Sequence, residues 1–390
     1  IGGTTTAARN VISGNTNPAI ALNAGASNNF VQGNFLGTDL TGTVALGNSG
    51  NDIVTLDSPN NTIGGTAAGA GNLIAGNLDP DYASVGIGFP ASTGNLVQGN
   101  FVGTDITGTI ALGGASIAVY IAEGSSNTIG GTIPGAANLI SGGGSSGVGI
   151  ASASGNFVQG NLIGTQADGV TPLANGSHGV LIYSGAANNT VGGRTAGAGN
   201  TIAFNGVSGV DLRGDAGVGN TIAGNSIFGN TALEIDFCSD FDVDNLMCND
   251  ATKVTPNDPK DPDTGANNLQ NHPELVTFLS GSTVSGFLDS IPNAEFTVDI
   301  YASRWCDPSG HGGGEIYLGS AIVTTDAYGV ATFSTLLPGV APEGWYAVAT
   351  ATDSAGSTSE FSQCIEVLSE LIFSDGFDSG GTTIWSAVMP

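Results

Sequence analysis

Few side chains in this 390-residue chain have the type and spacing to do chemistry. Asp211 and Arg213 stand two apart in "VDLRGD" (210–215), and His178 precedes the similar stretch "GVLIY" (179–183). Residues two apart in a strand share a face. A carboxylate, an imidazole and a guanidinium brought together are parts of an acid–base site, so Asp211, Arg213 and His178 are the catalytic candidates. Glycoside cleavage needs a second carboxylate facing the first, and the neighbouring stretches supply none. A surface ion pair of little energetic consequence is the plainer reading, and no enzymatic activity is expected. Arg213-Gly214-Asp215 also spells a tripeptide that turns produce by chance.

A second group of acids alternates in "DFCSDFDVDNLMCND" (236–250) and continues in "NDPKDPDTG" (257–265). Asp240, Asp242, Asp244 and Asp250 form one set, and Asp258, Asp261 and Asp263 a second. Alternating acids in a loop converge oxygen ligands, which suits Ca²⁺. The glycine and terminal glutamate of a helix–loop–helix calcium site are missing. A structural Ca²⁺ ion is the cofactor this pattern suggests; a solvated acidic loop is the alternative.

The four cysteines allow three pairings. Local bonds are expected: Cys238 with Cys248 around the acidic loop, and Cys306 with Cys364 across a second domain. Two disulfides point to an oxidising, extracytoplasmic address. Trp305, beside Cys306 and Pro308, is the one tryptophan expected at the surface, where it could stack on a glycan. Trp345 and Trp385 are expected to pack.

Composition narrows the partners. Six Lys and Arg face 33 Asp and Glu, for a net charge of −27, a surface that repels nucleic acid and anionic lipid. No apolar run reaches the ~20 residues of a membrane span, so no membrane insertion is expected. Gly contributes 64 residues without a collagen period. No leader segment is recognisable at the start, so the chain reads as a mature or trimmed form. Residues 1–230 hold ten of the acids, whereas nine fall within 234–263 alone, marking a boundary near 235.

These groups must be positioned by something, and the frame is a repeat. "NNTIGG" (60–65) returns as "NTIGG" (127–131) and "NNTVGG" (188–193), with "NFVQGN" (29–34), "NLVQGN" (95–100), "NFVQGN" (156–161) and "NTIAGN" (220–225) between. The aliphatic residues Val31, Ile63, Val97, Ile129, Val158, Val191 and Ile222, preceded by Ile1, step by 29 to 34 positions. The period is about 32, with two unlike coils alternating. Each coil has room for three short strands, too small to bury a face alone, so coils must stack around one core. This predicts an all-β chain: a parallel β-helix of about eight coils over residues 1–235, a rod of about 40 Å at the ~4.8 Å strand spacing. Asn29, Asn61, Asn95, Asn127, Asn156, Asn189 and Asn220 would stack as an amide ladder, and the glycines would take the bends.

The ordered phrases "NNTIGGTAAGAGNLIAGN" and "GNLVQGNFVGTDITGTIALG" resemble the repeat of bacterial secreted right-handed parallel β-helix proteins. The resemblance runs over about 1–270, including "LEID" and "NDPKDPDTGANNLQNHPEL", and implies the handedness and a secreted or cell-surface location. It implies no single activity, because that fold carries enzymes, adhesins and stalks. "WCDPSGHGGGEIYLGSAIVTTDAYGVATF" resembles domains that follow such β-helices. Seven strand-like segments in 273–369 predict an immunoglobulin-like antiparallel β-sandwich, joined through an acidic, disulfide-closed linker at 236–272. Cys306 and Cys364 are expected to cross that sandwich. The final "LIFSDGFDSGGTTIWSAVMP" resembles a short "DGFExG…W" C-terminal tail, with Asp378 in place of Glu. An ordered tail at 370–390 must pack on something, which makes Leu371, Ile372, Phe373, Phe377, Ile384 and Trp385 assembly candidates.

Taken together, these features favour a non-enzymatic extracellular structural protein whose subunits join end to end into a fibre through the β-helix ends and the C-terminal region. The alternative is a glycan-binding adhesin or a polysaccharide lyase or hydrolase on the same scaffold.

Overall fold

The structure, a computed structural model, describes residues 1–390 except 78, 80, 115, 239–240, 243–246, 249–252, 280–282 and 369–390, and only the backbone at 241–242 and 247–248. Apart from two short 3₁₀ turns, Thr6–Ala8 and Ala266–Leu269, the described residues are strands and loops. No helix among them is long and apolar enough to cross a membrane.

Residues 1–238 wind into a parallel β-helix with three sheets. One sheet stacks eight strands from Val11–Ile12 to Ser226–Phe228. A second stacks eight from Ile20–Asn23 to Ile235–Cys238, and a third stacks seven from Phe30–Val31 to Thr221–Ala223. Strands of two to six residues suffice because each needs to pair only with the coil before and after it. The registers align the repeat vertically: Val31 sits on Ile63, Ile63 on Val97, Ile129 on Val97 and Val158, and Val191 on Ile222. All are fully buried in one continuous apolar column.

The glycine phrase is explained at the bend after each third-sheet strand. Gly64, Gly130 and Gly192 have φ of +86°, +85° and +86°. A Cβ on Gly64 would lie 1.9 Å from the Gln98 carbonyl of the next coil, and one on Gly130 would lie 2.0 Å from that of Gln159. Only glycine fits both the dihedral and the space. The alternation of coil types has a hydrogen-bonding reason. Gln32, Gln98 and Gln159, from the "VQG" coils, donate through Nε2 to the carbonyls of Gly64, Gly130 and Gly192 in the "GG" coils. The "VQG" coils also carry lateral hairpin arms, closed by the bridges Thr38–Ala45, Thr104–Ala111 and Thr165–Pro172. Arms stack on one another, Ile106 N–H on Gly42 O (2.9 Å) and Ala167 N–H on Gly108 O (3.0 Å).

The described residues of 274–366 form two antiparallel sheets that pack as a sandwich. Glu274–Leu279, Thr283–Asp289 and Val330–Leu336 make one sheet. Ile316–Thr324, Glu295–Ser303, Tyr346–Asp353 and Ile365–Glu366, in that spatial order, make the other. Their inner faces share a core of Phe278, Val284, Leu288, Phe296, Val298 and Ala349. Cys306 and Cys364 are bonded, with Cα atoms 6.0 Å apart. The expectation that they cross the sandwich is corrected: Cys306 follows Glu295–Ser303 and Cys364 precedes Ile365–Glu366, strands of the same sheet. The bond pins the 304–315 loop to that sheet's end, where Cys364 N–H also donates to Gly310 O (2.9 Å).

Candidate functional site

The sandwich does not hang from the rod. It closes the rod's C-terminal end, and the chain's most unusual polar groups gather at that joint. Thr221–Ala223 is the last strand of its sheet, and sandwich residues take up its free groups. Ile222 N–H donates to Thr358 Oγ1 (3.0 Å), Thr221 Oγ1 to Gly356 O (2.8 Å) and Gly219 N–H to Ser357 Oγ (3.0 Å). Ile227 in the first sheet bridges to Gly314. In the second sheet, Phe237 N–H donates to Glu360 Oε1 (3.0 Å), and Glu360 Oε2 accepts from Thr255 N–H (2.7 Å). The rod's apolar column runs on into Tyr301, Val348 and Phe361 of the sandwich. Arg194 fixes the angle with a two-pronged bond to the buried Asp299, 2.8 and 2.7 Å, the geometry that makes Arg–carboxylate pairs directional.

The asparagine ladder is continuous. From Asn29 through Asn61, Asn95, Asn127, Asn156 and Asn189 to Asn220, each Nδ2 donates to the Oδ1 of the next, at 2.9 to 3.2 Å. Its last rung belongs to the linker: Asn220 N–H donates to Asn267 Oδ1 (2.9 Å), and Asn267 Nδ2 to Asn220 O and Thr358 O. The sequence reading missed a second, equally complete ladder: Asn10, Asn34, Asn72, Asn100, Asn138, Asn161, Asn200 and Asn225. Its signal was the Asn that closes "QGN" at 34, 100 and 161 and "AGN" at 72, 200 and 225. A shorter one, Asn175–Asn205–Asn230, ends on Glu234. Glu234 is buried, and burial pushes its carboxyl up to about 8.

The catalytic candidates meet, but not at the surface. His178 Nδ1 lies 3.4 Å from Asp211 Oδ2, and both side chains are buried. The expectation that no neighbouring stretch supplies a second carboxylate is corrected: Asp211 stands in register with the buried Asp236 of the next coil, which accepts from Ser208 Oγ (2.9 Å). Burial, with Arg213 nearby, lowers the His178 pKa to about 4, so the imidazole is neutral at neutral pH. Arg213 lies over the Tyr183 ring, 5.3 Å from its centroid. His178 and Asp211 are therefore buried rather than at the surface, while Arg213 is half-buried. Trp305 is 78% exposed, whereas Trp345 packs against the sandwich core.

Of the two acidic sets, Asp240, Asp242, Asp244 and Asp250 lie outside the residues whose side chains are described, as do Cys248, Trp385 and the assembly candidates Leu371, Ile372, Phe373, Phe377 and Ile384. Cys238 is itself disulfide-bonded. The second set converges: one carboxylate oxygen each from Asp258, Asp261 and Asp263 lies within 4.8 Å of the others. Lys260 and Asp261 both adopt left-handed backbone (φ 68° and 54°), turning the loop back on itself. Asp261 is buried, and its Oδ2 accepts from Ser290 Oγ, Gln270 Nε2 and Asn271 N–H. Burial, reinforced by Asp263 and Asp258, pushes its carboxyl up to about 6.

No family model matches this chain, and no curated protein matches it either.

Proposed function

We propose that the chain is a non-enzymatic extracellular structural protein, a stiff rod whose subunits associate end to end. The observation that carries this reading is the sealed joint: one end of the coil stack is closed by the chain's own sandwich through all three sheets. What the described residues leave open is the opposite end, where Val11–Ile12 and Ile20–Asn23 stand last in their sheets. Strand edges of this kind accept another chain's strand. Were further coils to precede residue 1, the same edge would belong to the first of them.

The coil's acids support a scaffold role, because several are taken up by local structure. Asp39 and Asp105 accept from the Thr hydroxyls and backbone N–H groups of their own arm, and Asp52 from Asn48. The Cys306–Cys364 bond fits an extracytoplasmic address. The resemblance of its repeat phrases to those of bacterial secreted β-helix proteins supports a cell-surface location in this reading. The tail then joins the contact between subunits.

Sedimentation velocity over a hundredfold concentration range tests the reading. Species growing by whole subunits are expected, and Val11→Lys with Ala21→Lys at the open edge should abolish growth while the monomer stays folded. Association that those charges leave untouched would remove the end-to-end contact.

A further inference from the structure

The acidic turn at 258–263 carries more than clustered charge. Asp258, Asp261 and Asp263 each have an Oδ1 shut off from solvent and without a hydrogen-bond partner. Asp261 as a whole is only 8% exposed. Its two oxygens are treated differently: three donors hold Oδ2 in place, and among the described residues none donates to Oδ1. A buried carboxylate oxygen without a donor is costly, and three carboxylates converging in one turn add mutual repulsion. A cation removes both penalties. The spacing fits its size: two oxygens on opposite sides of a Ca²⁺ ion, each about 2.4 Å away, stand about 4.8 Å apart, the limit within which one carboxylate oxygen from each of the three residues lies.

We propose that Asp258, Asp261 and Asp263 bind one Ca²⁺ ion that clamps the linker between rod and sandwich. The ion is hard and takes oxygen ligands in irregular geometry, which a turn built of three carboxylates can supply. Mg²⁺ demands a stricter octahedron and is released reluctantly by water. The site's place gives the ion its effect. Asp261 is bonded to Ser290 at the end of a sandwich strand. Lys260 N–H donates to Asp289 Oδ1 (2.9 Å). Asn271 Nδ2 reaches back to Asp258 O (2.7 Å). The same linker supplies Asn267, the last rung of the asparagine ladder. Ordering the turn therefore stiffens the route from the rod's final coil into the sandwich.

Calorimetric titration of the full chain with CaCl₂ and, separately, MgCl₂ tests this. A saturable Ca²⁺ site with a Kd of about 0.1–1 mM, the range of extracellular calcium modules, is expected, with Mg²⁺ at least tenfold weaker. Asp258→Asn/Asp263→Asn should lose that site. Its melting temperature in EDTA should match or exceed the wild type's, since like charges have been removed, and the rise that 10 mM CaCl₂ gives the wild type should shrink. Asp263→Asn alone, at a partly exposed position, serves as a milder second variant. No saturable Ca²⁺ binding, equal binding of Mg²⁺, or variants that keep the wild-type stoichiometry and affinity would each overturn the proposal.

Discussion

At the scale of single residues, the rod is held by asparagines whose every polar atom is used. Asn127 accepts from the N–H and the amide of Asn95, and donates to Ser92 O and Asn156 Oδ1. Asn127→Ala would strand several buried groups at once, each costing about 1–3 kcal/mol. We expect a loss of about 3–5 kcal/mol by denaturant unfolding, against under ~1 kcal/mol for an exposed asparagine such as Asn28. Glu234 gives the pH prediction. Its carboxyl titrates near 8 in the fold against an ordinary 4.5, so the fold favours the neutral form. That contribution is complete below about pH 4.5 and is lost as pH rises through about 8. Melting temperature should fall from pH 5 to pH 9, and Glu234→Gln should flatten the fall, matching the wild type at pH 5 and exceeding it at pH 9. A variant with the wild-type slope would show that Glu234 is charged throughout. The leading asparagines were legible because the repeat shows them once per coil. Burial of Glu234 was not, because Gly313, which packs against it, lies far off in the chain.

At the scale of elements, each strand is too short to be stable alone and draws its order from the strands above and below. That dependence made the period, the three strands per coil and the seven sandwich strands readable from alternating apolar residues and glycine-rich turns. The lateral arms read only as a long loop, since their stacking depends on neighbours some sixty residues away. Docking of the sandwich was equally hidden: Arg194 and Asp299 are separated by 105 positions, and no local pattern links them. Asp299 is fully buried, so removing its partner leaves an uncompensated charge. Arg194→Met should cost about 3–5 kcal/mol, and Arg194→Met/Asp299→Leu should recover most of it. A double variant as unstable as the single one would mean that the pair's worth is its own attraction, not relief of a buried charge.

At the scale of the whole molecule, the two domains behave as one body with a shared apolar column and a linker that ends the ladder of one and anchors the sheet of the other. In the reading proposed above, the sandwich closes one end of the coil stack and the other end takes the next subunit, the polarity a head-to-tail assembly needs. The most direct measurement is negative-stain electron microscopy of the purified chain at rising concentration, in Ca²⁺. Strings or fibres with one subunit per repeat along the rod axis are the predicted result. Single, uniform particles at the highest concentration, with one sedimenting species in the same buffer, would contradict the account.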